Sequence, residues 1–324
     1  MKSQNTPDIS IVVPVFNEQD NLADLHRQIA ESCRKTGLRH EIIFVDDGSR
    51  DDSPRVLSEI QQADPMVRVI TLRKNFGQTA AMSAGFDFAR GDKIITLDAD
   101  LQNDPADFQS LIDKLEEGFD LVCGWRHRRR DVFLTKRLPS IIANRLISWI
   151  TGVRLHDYGC TLKIFRRDVV KNINLYGEMH RFIPAIASHM GVRIAEIKVN
   201  HRRRRHGKSK YRLNKSIRVA FDLLTVKFLL SYSTRPLQIF GLFGLVSGAV
   251  GGAIGLYLSY QRLILQQSIS NRPLLLLAIL LLVIGFQFIT LGLLAEIMVR
   301  SYHESLQKRI YYVREVLESG DRPD

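Results

Sequence analysis

Ile9–Glu18 (ISIVVPVFNE), Glu41–Ser49 (EIIFVDDGS) and Lys93–Gln102 (KIITLDADLQ) share one pattern: a short, almost continuous apolar run followed at once by acidic and polar residues. Short runs rich in Ile and Val read as strands buried on both faces. The expected strands are Ile9–Val13, Glu41–Val45, Val67–Leu72, Lys93–Leu97 and Asp120–Cys123. Between them Leu22–Cys33, Ser53–Gln62, Gln78–Ala89 and Pro105–Glu117 read as helices, the last opening with Pro in its first turn. Alternation of this kind predicts an α/β fold with a mainly parallel sheet covered on both faces. Open α/β sheets bind ligands at the carboxyl ends of their strands, and the polar clusters fall there.

Acidic groups gathered at neighbouring strand ends repel one another unless a cation compensates. Asp98 and Asp100, one residue apart, suit a hard divalent ion, Mg2+ or Mn2+, that keeps waters and binds a substrate diphosphate. Such an ion stabilises charge developing on a nucleotide leaving group. Asp47 is placed to accept hydrogen bonds from a nucleobase and Glu18 from a ribose. Taken singly these signals are weak, since an Asp-x-Asp recurs by chance and Asp-Asp-Gly-Ser is ordinarily a turn and helix cap. Their order after successive strands carries the joint reading.

Moving outward, the chain changes character near residue 236. No charged residue lies between Arg235 and Arg262, nor between Arg272 and Glu296. Leu237–Tyr260 and residues 273–295 are each long enough to cross a bilayer as a helix. Basic residues crowd the segment before the first run (Arg202–Arg205, Lys208, Lys210, Arg212, Lys215, Arg218) and follow the second (Arg300, Lys308, Arg309). The positive-inside rule puts both termini in the cytoplasm. Met1–Ser10 is polar and Ile9–Val13 too short for a signal core, so the catalytic part is expected on the cytoplasmic side. Two basic amphipathic stretches, Leu213–Ser233 and Leu134–Val153, are expected to lie in the headgroup layer. The expected organisation is a catalytic domain over 1–212, an amphipathic juxtamembrane helix over 213–235, a membrane hairpin over 236–299 and a cytoplasmic tail over 300–324.

Lys and Arg outnumber Asp and Glu by 46 to 34, a formal net charge of +12. That balance fits anionic lipid or phosphorylated substrates. Nucleic acid is not expected, because no reading helix or aromatic stacking platform accompanies the basic run. The three cysteines, Cys33, Cys123 and Cys160, match no zinc or disulfide spacing and read as free thiols.

Pro14–Glu18, Val45–Ser49 and Asp98–Gln102 resemble the donor-site signatures of glycosyltransferase family 2, whose members have the GT-A fold. Arg73–Gly77 resembles that family's loop before the third helix. Within the family the chain is most similar to polyprenyl-phosphate glycosyltransferases such as bactoprenol glucosyltransferases and dolichyl-phosphate mannose synthases, and the likeness covers nearly all of it. The resemblance implies that Pro14, Phe16, Glu18 and Asp47 hold the nucleoside, and that Asp98, Asp100 and Gln102 hold metal and diphosphate. It implies an acceptor-side role for Asp157, in His156–Cys160, against the plainer reading of a loop cap and the alternative of His156 as base. Arg202 and Ser209 are implied to contact donor and acceptor phosphates. Arg126, Lys136 and Arg137 are further candidates for the lipid phosphate, since guanidinium forks match phosphate oxygens.

The expected reaction is inverting transfer of a hexose from a nucleotide sugar to polyprenyl (undecaprenyl) phosphate at the membrane surface. UDP-glucose is the favoured donor and GDP-mannose the alternative; nothing in the residues discriminates the sugar. A processive polysaccharide synthase is disfavoured because no Gln-x-x-Arg-Trp motif occurs. A nucleotide-sensing scaffold is disfavoured because it needs no Asp157. In the tail, Leu306, Ile310, Val313 and Leu317 form a stripe suited to a partner helix or the domain's own surface, with a strand over Ile310–Val313 as the other reading. The stripe motivates the expectation of a homo-oligomer.

Overall fold

The computed structural model describes residues 6–127, 147–148, 152–173, 175, 179–202, 236–266, 273–304 and 310–318. Lys136, Arg137, Ser209, the stretch Leu213–Ser233 and most of Leu134–Val153 lie outside the described residues. The chain divides into two compact units, Met1–Val226 with Arg309–Asp324, and Lys227–Lys308.

In the first unit, β1 (Ile9–Val15), α1 (Gln19–Thr36), β2 (His40–Asp46), α2 (Ser53–Ala63), β3 (Val67–Leu72), α3 (Gln78–Phe88) and β4 (Lys93–Thr96) follow the expected alternation. A single 3-10 turn, Pro105–Asp107, leads into α4 (Phe108–Glu116) and then β5 (Leu121–Trp125). Beyond these come β6 (Lys163–Arg166), α5 (Arg167–Lys171), α6 (Ile183–His189) and β7 (Ile194–Lys198). The sheet has the order β7-β5-β6-β4-β1-β2-β3-β8, where β8 (Val313–Leu317) comes from the C-terminal segment. β4, β1, β2 and β3 run parallel, while β6 and β8 run antiparallel to their neighbours.

On one face α1 buries Leu22, Leu25, Ile29 and Cys33, and α4 buries Phe108, Leu111, Ile112 and Leu115. Both stripes join one core with Ile11, Val13, Ile42, Phe44 and Ile95. Truncating Leu25 or Ile29 to Ala would cost about 2–5 kcal/mol. On the other face α3 approaches β1 closely because four of its buried positions, Ala80, Ala81, Ala84 and Gly85, are small. A side chain at Gly85 would collide with Val12.

Pro14 sits inside β1, where a missing N–H ordinarily breaks a ladder. It is tolerated because pairing with β4 stops at Val12↔Thr96, so that flank needs no donor at residue 14, while Pro14 still stands opposite Val45 of β2. The strand therefore runs two residues beyond the expected Val13.

The second unit contains α7 (Pro236–Leu263) and α8 (Pro273–Glu304). Within them Phe240–Leu263 and Pro273–Ala295 are long and apolar enough to cross a membrane. Leu256, Leu276 and Phe286 are at least 70% exposed, which does not fit helices packed inside a soluble core. Both are candidate membrane spans. Glycines let the two backbones touch: a Cβ on Gly244 would lie 2.7 Å from the Gly285 carbonyl oxygen, and one on Gly285 would lie 2.8 Å from that of Gly244.

The C-terminal segment departs from the helical reading of the Leu306, Ile310, Val313 and Leu317 stripe. The helix is described as far as Glu304, and Val313–Leu317 is a strand paired antiparallel with β3. The open edge of β3 offers unpaired backbone groups, and this β-branched segment satisfies them while Leu317 packs against the core. The residues that motivated a homo-oligomer are thus occupied, as far as they are described, by the protein's own sheet.

Candidate active site

Because β4, β1 and β2 are parallel neighbours, Asp98–Gln102, Pro14–Glu18 and Asp46–Ser49 emerge at the same sheet edge. The loops are tied together. Asn17, at φ 53°, donates its N–H to Ser49 Oγ (2.9 Å) and accepts from the Arg50 N–H through Oδ1 (2.7 Å). Glu18 donates its N–H to Ser53 Oγ (3.0 Å), while its Oε2 accepts from Asn21 Nδ2 (2.7 Å).

The two adjacent aspartates divide their labour. Asp47 accepts from the backbone N–H groups of Phe76 (2.7 Å) and Gly77 (2.9 Å), so it fixes the Arg73–Gly77 loop. Asp46 uses Oδ1 for the Ser49 N–H (3.0 Å). Its Oδ2 is buried and has no hydrogen-bond partner among the described residues. Burial raises both carboxyls above the usual range, opposed at Asp46 by the Ser49 side chain and amide and at Asp47 by the Phe76 and Gly77 amides. Asp47, the expected nucleobase acceptor, has both oxygens on loop amides, whereas Asp46 keeps one oxygen without a partner among the described residues. Gly48 lies at φ 68°, and a Cβ there would sit 2.6 Å from the Lys74 carbonyl carbon. Gly48→Ala should therefore displace the loop and weaken nucleotide binding about tenfold or more, checked by titrating nucleotide into folded protein.

At β4, Asp98 accepts from Gln78 Nε2 (2.7 Å), and Asp100 accepts from the Gln102 N–H (3.1 Å). Between them Leu101 is buried yet held at φ 60°, an uncommon conformation for a bulky residue. Burial and the Asp100 charge push Asp98 up to about 6, opposed by Thr161, Arg126 and Lys163. Among the described residues no group of three His, Cys, Asp or Glu is placed to hold a metal ion. Two carboxylates without a third fit a hard ion that completes its shell from water and phosphate.

The acceptor-side candidates come to the same edge through antiparallel β6, which starts where β4 ends (Thr96↔Lys163). This pairing puts the loop 156–162 beside Asp98; Thr96 Oγ1 donates to the Thr161 carbonyl (2.6 Å). Arg126, just past β5, grips Asp157 with two parallel bonds, Nε to Oδ2 (2.7 Å) and Nη2 to Oδ1 (2.9 Å). The Asp157 side chain is 2% exposed and that of Arg126 20%. A carboxylate with both oxygens on a guanidinium is a poor proton acceptor, so the geometry favours Asp157 as the group that aims Arg126. His156, the alternative base, stacks on Trp125 (4.2 Å between centroids) and bonds Glu196 through Nδ1 (2.7 Å).

A family model described as glycosyl transferase family 2 matches residues 10–173, a span holding all three donor motifs, Arg126 and Asp157. The chain belongs to glycosyl transferase family 2. Relatives of this glycosyltransferase include dodecaprenyl-phosphate galacturonate synthase of Rhizobium johnstonii, 43% identical over 96% of this chain and 93% of that one. Another is undecaprenyl-phosphate 4-deoxy-4-formamido-L-arabinose transferase of Klebsiella pneumoniae, 39% identical over 95% of this chain and 93% of that one. Among solved structures, glucosyl-3-phosphoglycerate synthase from Mycobacterium tuberculosis with Mn2+ and UDP-glucose aligns with a TM-score of 0.55 at 16% identity, over 69% of this chain and 79% of that one. This structural likeness supports the GT-A fold.

Arg202, expected at the phosphates, makes contacts within the protein: Nη1 bonds Gln28 Oε1 (2.6 Å), Nη2 pairs with Asp104 (2.6 Å), and its N–H holds the Gln102 carbonyl (2.9 Å). It thus braces the Asp98–Asp104 loop. Two further residues join the site without a legible signal in their neighbours. Lys163 is buried, donates to the Cys160 carbonyl and lies near Asp98. Glu196 on β7 accepts from the backbone N–H groups of His156 (3.0 Å) and Asp157 (2.9 Å). Glu196 therefore fixes the backbone that carries Asp157. Glu196→Ala should lower kcat on the order of 10²-fold, the cost of misplacing a reacting group by about 1 Å. KM for the nucleotide sugar should stay unchanged, and Glu196→Gln should recover part of the rate.

Proposed function

We propose that this glycosyltransferase moves a sugar from a UDP-sugar to a polyprenyl phosphate at the cytoplasmic face of a membrane. The observation that carries the reading is the Arg126–Asp157 pair within electrostatic reach of Asp98. A mostly buried, aimed guanidinium beside Asp98 suits an acceptor that is itself an anion. The two candidate spans suit an acceptor with a lipid tail, and the positive flanks support cytoplasmic termini.

Phe16 and Asp46 would hold the uridine, with Pro14 and Glu18 beside the ribose and Asp47 keeping the loop closed. Asp98 and Asp100, with Gln102 next to them, would hold Mg2+ or Mn2+, which when bound neutralises charge on the diphosphate. Arg126 draws the acceptor phosphate in line with the anomeric carbon. The phosphate oxygen forms the new bond to that carbon as the carbon–oxygen bond to UDP breaks, and UDP departs with the electron pair. Configuration inverts. A phosphate monoester has its second pKa near about 6 and is largely dianionic at neutral pH, so little base catalysis is required, consistent with a guanidinium-bound Asp157.

For the sugar, the names of the two relatives favour galacturonate or 4-deoxy-4-formamido-L-arabinose over the glucose first expected. UDP-galacturonate is the first donor to test. Purified protein, undecaprenyl phosphate and Mn2+ incubated with each labelled donor in turn should put label from one donor into the organic phase. Equal incorporation from all donors, or transfer to water alone, would contradict the assignment.

A further inference from the structure

The strand that follows the second span runs along the nucleotide side of the site. β8 pairs with β3 in the register Val69↔Leu317, Ile70↔Val316 and Thr71↔Glu315, then shifts to Leu72↔Val313. Arg314 is the extra residue of a β-bulge. Neighbours on a regular strand face opposite sides of the sheet, and a bulge re-aims the extra side chain. As a result Arg314 and Glu315 both line a cavity of about 520 Å³ shared with Phe16, Asp46 and Arg73. Asp46 lines it too, and its buried Oδ2 has no hydrogen-bond partner among the described residues. The segment also fastens the adjoining loop. The Tyr312 carbonyl accepts from the Arg73 N–H (3.0 Å), and its ring lies 6.0 Å from that of Phe76. Phe76 and Gly77 in turn supply the amides that hold Asp47. At its ends the segment is pinned by Tyr311 Oη to Asp87 (2.6 Å) and by Glu318 to Arg68 and Arg90 (both 2.9 Å).

We propose that β8 is a wall of the nucleotide cleft and that the bulged Arg314 reads the base, selecting uracil over guanine. The inference rests on the donor-site reading above and deepens it. Uracil presents one imide N–H flanked by carbonyl oxygens. Asp46 offers one free acceptor for that N–H, its other oxygen being committed to Ser49, and Arg314 supplies donors for a carbonyl. Guanine presents two donors side by side and asks Asp46 for two oxygens, of which one is taken.

The test is titration of UDP and of GDP, each with Mn2+, into the full-length protein in detergent, for wild type, Arg314→Ala and Arg314→Lys. Arg314 is exposed, so its truncation leaves the core intact, and equal melting temperatures would verify that. Wild type should prefer UDP. Arg314→Ala should weaken UDP about 10–100-fold, the worth of a hydrogen bond from a charged donor, with little effect on GDP. Arg314→Lys, which keeps the charge and loses the fork, should fall between. An unchanged UDP-to-GDP ratio in Arg314→Ala, with or without an equal loss for both, would overturn the base-reading role and leave the donor site standing. A wild type that binds neither nucleotide would overturn the donor site and this inference together.

Discussion

Asp157→Asn should lose sugar transfer by a factor on the order of 10²–10³ while binding nucleotide sugar with wild-type affinity. The size follows from what is removed, the aim of a charged donor onto a reacting phosphate, which elsewhere is worth about 10²–10³ in turnover. Donor affinity is expected to hold because the Asp157 carboxylate bonds Arg126, whereas the nucleotide contacts proposed above lie on β1, β2, β8 and the Arg73–Gly77 loop. Asp157→Ala is a harsher change. It leaves Arg126 without its partner in a mostly buried setting, a defect that costs up to about 3–5 kcal/mol. Removing both groups, Asp157→Ala with Arg126→Ala, should recover much of that stability and none of the transfer. Thermal melts alongside kcat separate the two effects. Full turnover in Asp157→Asn would remove the pair from the chemistry.

Asp98→Ala should weaken Mn2+-dependent UDP binding by about 100-fold or more and abolish turnover, since one of the two carboxylates proposed to hold the metal is lost. The pH dependence of the wild type gives an independent check. Burial and Asp100 push Asp98 up to about 6 in the metal-free protein, so below that pH an incoming cation must displace a proton. Mn2+ affinity should fall about tenfold per pH unit below about 6 and level off above it, with up to one proton released on binding. The stability sign runs opposite to that of a salt-bridged carboxylate. The folded pKa exceeds the ordinary 3.8, so this group favours the metal-free fold below about pH 4 and that contribution is lost as pH rises through about 6. Bound metal cancels the penalty. A Mn2+ affinity that stays flat from pH 5 to pH 7 (about 100-fold in proton activity) would separate Asp98 from the metal.

The half of the sheet that carries the nucleotide motifs was legible because each strand is an uninterrupted apolar run ended by acids, as in Lys93–Asp100. The acceptor half was not. β6 (Lys163–Arg166) is charged at both ends, with a buried lysine that no hydrophobic pattern announces, and its antiparallel direction is what returns residue 157 to the edge that carries Asp98. Arg126 and Asp157 were each singled out, but their union spans 31 residues of sequence. Glu196, a further 39 residues on, lies in a half-exposed strand, and a lone glutamate there reads as surface. In the tail, spacings of four, three and four satisfy a helix as well as they permit a strand. The open edge of β3, a tertiary fact, decides between them.

The measurement that bears most directly on the account is transfer of labelled sugar from UDP-galacturonate to undecaprenyl phosphate by the purified full-length protein with Mn2+, read as label in the organic phase. The account predicts lipid-linked label that requires metal and disappears in Asp157→Asn. Label that never leaves the aqueous phase with any UDP-sugar, from protein shown to bind UDP, would contradict a polyprenyl-phosphate acceptor.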